Sequence, residues 1–316
     1  MGLNPEELEQ HCQRILGDRR IRNKIVILCE GKVKNKQSRL SPQSYKKMSQ
    51  MPDSNFYLKC IPKTWKGKSR PSFVHCEDSN GVIKTYNRLR ELANQPTSYL
   101  NSAKLFALVD LDIQPKDINN YNFANKEEIF KHSYQKTEII PQQAPHNRIW
   151  VTGLIHKEAY FIAPEVQSAL DRSELVKRYF DNHLCLKDIY PQMCEEILEY
   201  QVLQANFASV SKRFQYCPTL NSENLEFFKT SWEQEFANSV KSSEPEKIRE
   251  LVYALLMMTN AKKYWEQIQP NSSWRTQHKI FREQLSLEIG EFYSRQDWQD
   301  PRNHIPFFFK TLFEFA

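Results

Sequence analysis

Leu105-Phe106-Ala107-Leu108-Val109-Asp110-Leu111-Asp112, read as LFALVDLD, joins an apolar run to two acids with one residue between them. An apolar run of this length suits a strand buried on both faces of a parallel sheet. Side chains alternate along a strand, so residues two apart share a face. Asp110 and Asp112 are therefore expected to project together beyond the strand's carboxyl end. Two anions held that close repel, and a bound cation is the natural relief.

Working outward, Lys24 to Cys29 (KIVILC) is another apolar run, and it stops at Glu30-Gly31. Pro71 to Cys76 and Arg148 to Thr152 supply two more short strands. Between them, Asp78-Ser79-Asn80-Gly81 reads as a turn, and Val82, Tyr86, Leu89, Leu92 and Ala93 carry helical spacing. A polar stretch rich in Asn and Gln separates the opening strand from Asn147. At the start of the chain, Asn4 as N-cap, Pro5 in the first turn and Gly17 as the stop outline a helix. Strand and helix in alternation imply an α/β fold, a parallel sheet flanked by helices. Beyond Pro164 the character changes. Segments 165–183, 190–207, 222–240, 245–268 and 274–293 all show helical periodicity, and no strand stands out. The expected division is an N-terminal helix over 1–20, an α/β domain over 21–165 with an inserted segment at 32–70, and a helical domain over 166–316.

The net charge is only +6, but it is unevenly placed. Between Lys32 and Arg70 eleven Lys and Arg face one acid, Asp53, which leaves the rest of the chain slightly acidic. Tyr45, Phe56, Tyr57 and Trp65 interleave with these cations. Basic residues among stacking rings are what a phosphate backbone with accessible bases calls for. Lys32, Lys34, Lys36, Lys63, Trp65, Lys66, Lys68 and Arg70 are the candidate nucleic-acid contacts. A solvated loop that only confers solubility is the plainer reading. Gly67-Lys68-Ser69 mimics the end of a phosphate-binding loop, but Pro62 stands where the first glycine belongs, so no nucleotide site is expected.

Seven cysteines are scattered without any C-x-x-C pair, which argues against zinc and for reduced thiols in a cytoplasmic setting. No apolar run approaches the roughly 18 residues of a membrane span, and the first residues lack a secretory pattern.

Functional groups of a parallel sheet gather beyond the carboxyl ends of its strands. If the strand ending at Glu30 neighbours the strand ending at Asp110, then Glu30, Asp110 and Asp112 converge at one edge. Oxygen ligands of that kind suit Mg²⁺ or Mn²⁺.

The succession IVILCEG, a helix-bearing spacer and LFALVDLD resembles the TOPRIM domain, the metal-binding fold of topoisomerases, bacterial primases and OLD-type nucleases. Ile155 to Glu165 (IHKEAYFIAPE) is similar to a segment that follows the fold in OLD-like and stand-alone defence-associated TOPRIM proteins, with Ala159 where Asn is usual. The resemblance implies that Glu158 is a further metal-site acid; a glutamate that merely opens a helix is the alternative. Met257 to Trp265 is similar to the late G-K segment of OLD-type nucleases, with Ala261 in place of glycine. The implied lysine is Lys262 or Lys263, and an ordinary exposed pair is the alternative. Lys34 stands where such sites often carry a second acid, so either Glu77 or Asp78 or a water substitutes, or a single ion binds firmly.

What the resemblance implies is metal-dependent hydrolysis of phosphodiester bonds in DNA or in RNA such as tRNA. Asp110, Asp112 and Glu158 would hold the ion, Glu30 would share it or act as general base, and Lys262 would face the scissile phosphate. It also implies an anti-phage defence role under an ATPase partner. A homodimer through the helical half is the expected assembly. The competing expectation is a TOPRIM module that binds or regulates without cutting.

Overall fold

A computed structural model of the chain describes residues 2–33, 52–65, 70–114, 117–175, 177–180, 182–270 and 278–315. Helix α1 (Pro5–Leu16) begins with a reciprocal cap: Asn4 Oδ1 accepts from the Glu7 amide at 2.9 Å, and Glu7 Oε2 accepts from the Asn4 amide at 3.2 Å. Strand β1 (Val26–Cys29) follows, then helix α2 (Pro52–Cys60), strand β2 (Ser72–His75) and helix α3 (Ser79–Leu92). Strand β3 (Leu105–Val109) precedes helix α4 (Lys126–Ser133), the short strands β4 (Tyr134–Gln135) and β5 (Glu138–Ile139), and β6 (Ile149–Val151).

The four strands expected from their apolar runs form one parallel sheet in the order β2-β1-β3-β6. Register is explicit at its centre, where Cys29 pairs with Leu108 across β1 and β3 and with His75 across β1 and β2. Every residue of β1, β3 and β6 is buried, as strands covered on both faces require. Helix α3 packs on β1 and β3 and is capped by Asp78, whose Oδ1 accepts the Gly81 amide at 2.9 Å. A Cβ on Gly81 would sit 1.9 Å from the Cys76 carbonyl oxygen, so only glycine lets this helix start so close to the strand end.

The inserted basic segment does not behave as a mere insertion. In its described part, α2 contributes Phe56, Tyr57 and Cys60 to the core, and its ring partners include Phe73 of β2. The polar stretch before Asn147 also holds structure: α4 starts at an Asn125 cap whose side chain accepts from the Glu128 amide.

Beyond β6 come helices α5 (Lys157–Phe161) and α6 (Gln167–Arg172), strands β7 (Lys177–Tyr179) and β8 (Asn182–His183), and helices α7 (Leu186–Glu195) and α8 (Gln201–Val210). Helices α9 (Leu225–Lys241), α10 (Pro245–Leu256) and α11 (Ala261–Gln267) precede β9 (Ile268–Pro270), α12 (His278–Tyr293) and α13 (His304–Phe313). The region is predominantly helical, but the expectation that it lacks strands is corrected. β7, β8 and β9 form an antiparallel sheet in the order β8-β7-β9, placing Arg178 opposite His183 and Gln269. Its strands span two or three residues, too short to imprint a period-two pattern on the sequence.

Helix α13 returns to the parallel sheet. Phe308 meets Trp150 of β6 at 4.7 Å between ring centroids, and Phe309 meets Phe73 of β2 at 6.4 Å. Helix α12 crosses α2 so closely that a Cβ on Gly290 would lie 2.7 Å from that of Lys59. Among the described residues, no helix is long and apolar enough to cross a membrane.

Candidate functional site

Neighbouring parallel strands deliver their end residues to the same edge, and here β1 ends beside β3. Glu30 follows β1 directly, and its Oε1 accepts the Asp110 amide at 3.1 Å. A cleft of about 490 Å³ opens there, lined by Glu30, Lys32, Asp110, Asp112, Glu158 and Lys262 among others. All five candidate catalytic residues, distant in the chain, therefore face one cavity.

The electrostatics of the cleft are uneven. Burial first, and then the carboxylates of Glu30, Glu158 and Asp112, push the Asp110 carboxyl well above the usual carboxylate range, against the opposing pull of Lys126. Burial alone would also raise Glu158, but His156 and Lys157 beside it outweigh that and hold its carboxyl down to about 2. His156 Nδ1 lies 3.2 Å from Glu158 Oε2, and Lys157 Nζ lies 3.6 Å from Oε1. Glu158 is thus the firm anion of the cleft and Asp110 the reluctant one.

Asp112 does not sit as strand alternation predicts. β3 stops at Val109, and Asp112 adopts φ 51°, in the left-handed region, with its amide donating to the Ile155 carbonyl at 3.1 Å. Its carboxylate meets the ammonium of Lys126 at 2.5 Å. Lys126 is 1% exposed and also donates to the Asp110 carbonyl oxygen at 2.9 Å. Next to it in α4, Glu127 accepts from Arg213 at 2.8 Å, and Arg213 also donates to the Asp112 carbonyl at 2.7 Å. Arg213 belongs to a 3₁₀ turn, Ser211–Phe214, of the helical region. Two buried cations from different parts of the chain thus fix the turn that carries Asp112.

The acids considered as substitutes at the Lys34 position have backbone duties. Glu77 Oε1 accepts the Val33 amide at 2.9 Å, and Asp78 caps α3. Both nonetheless line the cleft. Of the two lysines left open by sequence, Lys262 lines the cleft, whereas Lys263 Nζ lies 2.5 Å from Glu196 Oε2 in a separate pocket.

The basic segment meets its expectations unevenly. Lys32 lines the cleft. Lys63 pairs with Glu291 at 3.0 Å, and Arg70 Nε donates to the Trp65 carbonyl at 3.4 Å. Trp65 is corrected as a stacking platform: it is 1% exposed, edge-on to Phe309 and Phe313, because the apolar ring has more to gain from the core than from solvent. Lys34, Lys36, Lys66 and Lys68 lie outside the described residues.

Residues that sequence reasoning missed are Lys126, His156, Lys157 and Arg213. The Asn125-to-Glu128 capping pattern places Lys126 at a helix start, but no spacing rule says that its side chain turns inward.

The donor set suits a hard divalent ion, since its groups are carboxylates and Asp110 is destabilised by its own neighbours. Among the described residues, however, no group of three or more His, Cys, Asp or Glu could hold a metal ion as placed. All seven cysteines are unpaired thiols. No family model, no curated protein and no solved structure matches the chain.

Proposed function

We propose that the chain is a Mg²⁺- or Mn²⁺-dependent nuclease of TOPRIM type that hydrolyses phosphodiester bonds in DNA or RNA. The observation that carries the reading is the convergence of Glu30, Asp110 and Glu158 on one cleft whose rim also presents Lys262. The resemblance of IVILCEG and LFALVDLD to TOPRIM motifs supports it, as does the order of the strands that bear them.

Glu30, Asp110 and Glu158 would hold the ion. A divalent cation held there would supply positive charge to offset that of a phosphoryl oxygen in the transition state. Lys262, which lines the same cleft, would stabilise the negative charge added to the phosphate. Lys32 extends the same positive rim toward the nucleic-acid backbone. Glu30, oriented by the Asp110 amide, would either share the ion or take the proton from an attacking water. A defence role under an ATPase partner, a homodimeric assembly and a cytoplasmic setting belong to the same reading.

Incubating mixed DNA and RNA substrates with Mg²⁺ and with Mn²⁺, beside the Asp110→Ala variant, tests it. Cleavage by the natural protein alone is expected; cleavage that survives in the variant refutes the assignment. A second reading, a nucleic-acid-binding module without chemistry, is favoured by the lack of a ready-made metal group among the described residues. It is distinguished by binding without cleavage in either metal.

A further inference from the structure

The proposed cleft already contains a positive charge supplied by the chain. Lys126 is the first residue of α4, where the helix dipole favours anions rather than cations. Its burial adds a desolvation cost. Both penalties are met by oxygen: Nζ lies 2.5 Å from Asp112 Oδ2, 2.9 Å from the Asp110 carbonyl oxygen and 3.5 Å from Ser79 Oγ. An ammonium has three N–H donors, so this set uses all of them. Glu127, the nearest acid in sequence, is not its partner, being paired with Arg213. The charge of Lys126 is therefore directed to the ends of the very segment that carries the two acids of LFALVDLD.

We infer that the Lys126 ammonium takes the place of a second divalent ion, so that the cleft holds one ion among Glu30, Asp110 and Glu158 while Asp112 ligates none. This rests on the metal-dependent reading above. It assigns Lys126 a positioning role: it holds Asp112 and the Asp110 carbonyl in a fixed arrangement that an exchangeable cation would otherwise have to maintain. It also makes the Lys34 departure consistent, since a site with an internal cation needs fewer acids.

The test is calorimetric titration of the full chain with Mn²⁺, with bound ion counted independently by the loss of the free Mn²⁺ electron-spin-resonance signal. One ion per chain is expected. Asp112→Asn should keep that ion, whereas Asp110→Asn should weaken it about 10–100-fold or more. Lys126→Met exposes the Asp112 carboxylate and should raise the count to two. Because that variant removes the buried cation that holds the Asp112 turn and can fail to fold, Asp112→Asn/Lys126→Met, which removes both charges, serves as its control and should bind one ion. Two ions in the natural protein, loss of the ion in Asp112→Asn, or an unchanged count in folded Lys126→Met overturns the inference while leaving metal dependence intact. No bound ion and no cleavage in the natural protein overturns both readings together.

Discussion

Arg213 donates to Glu127 at 2.8 Å and to the carbonyl oxygen of Asp112 at 2.7 Å, so one buried guanidinium ties the helical region to the turn beyond β3. Both members of the pair are nearly sealed from solvent, at 1% and 8% side-chain exposure. A buried ion pair costs desolvation to form, but removing one partner strands the other.

Arg213→Ala is accordingly expected to destabilise the fold by about 3–5 kcal/mol, the range for an uncompensated buried charge. Adding Glu127→Gln should recover part of that loss. Urea unfolding of the single and double variants measures both, and equal stability of the two would contradict the pairing.

Asp110 gives the opposite sign. A carboxyl raised by burial and by neighbouring acids opposes folding wherever it must ionise, so its contribution is favourable at low pH and lost as pH rises through its folded value. Asp110→Asn should therefore stabilise the metal-free protein at neutral pH, by roughly 0.5–2 kcal/mol, the scale of single stabilising substitutions. Melting temperatures with and without Mg²⁺ provide the check.

Acid should nevertheless weaken the protein through two buried histidines. His304 is held neutral at about 3 by burial, with Nε2 at 2.7 Å from the Thr137 carbonyl and Nδ1 at 3.1 Å from the Tyr160 hydroxyl. The Gly153 amide donates to the same hydroxyl at 2.9 Å, leaving its proton for Nδ1, so Nε2 carries the ring proton. His11 is likewise lowered to about 4, by burial and then by Arg14. In both cases the unfolded ring protonates first. Stability is whole above the ordinary histidine range and falls as pH drops from there toward the folded values. Each should cost about 2 kcal/mol between pH 7 and pH 5. Denaturant midpoints at the two pH values measure the loss, and His304→Gln should flatten part of the slope.

Lys262 and Lys263 should separate functionally although they are adjacent. Lys262→Ala is expected to slow cleavage about 100–1,000-fold, as loss of one transition-state donor does, with little change in melting temperature. Lys263→Ala, which removes only the half-exposed pair with Glu196, should leave the rate within about threefold, in line with the small worth of such pairs. Equal defects in a single-turnover assay would contradict the assignment of Lys262 to the cleft rim.

Much of the sheet was legible because its strands are apolar on both faces, so KIVILC and LFALV stand out without any periodicity argument. The pairing of Glu30 with Asp110 followed from one supposition, that these strands are neighbours, and the register of β1 with β3 bears it out. Asp112 reaches the same cleft as Asp110, but from a left-handed turn rather than by alternation, because the strand ends at Val109. Trp65 was misread because its sequence neighbours are cations, whereas its contacts, Phe309 and Phe313, come from the far end of the chain. Helix α13 itself escaped notice for a related reason: HIPFFFKTLF is buried nearly all round, so it shows no polar stripe to reveal its period.

That last helix has a consequence for biosynthesis. Phe309 closes over a strand made more than two hundred residues earlier, and Phe315 meets Phe106 at 5.3 Å. A nascent chain still short of residue 304 would carry the four strands with Trp150 lacking its Phe308 partner and Phe73 covered only on its Tyr57 side, a greasy surface open to chaperones or to other unfinished copies. Sealing of the sheet is thereby deferred until residues 304–315 have left the ribosome.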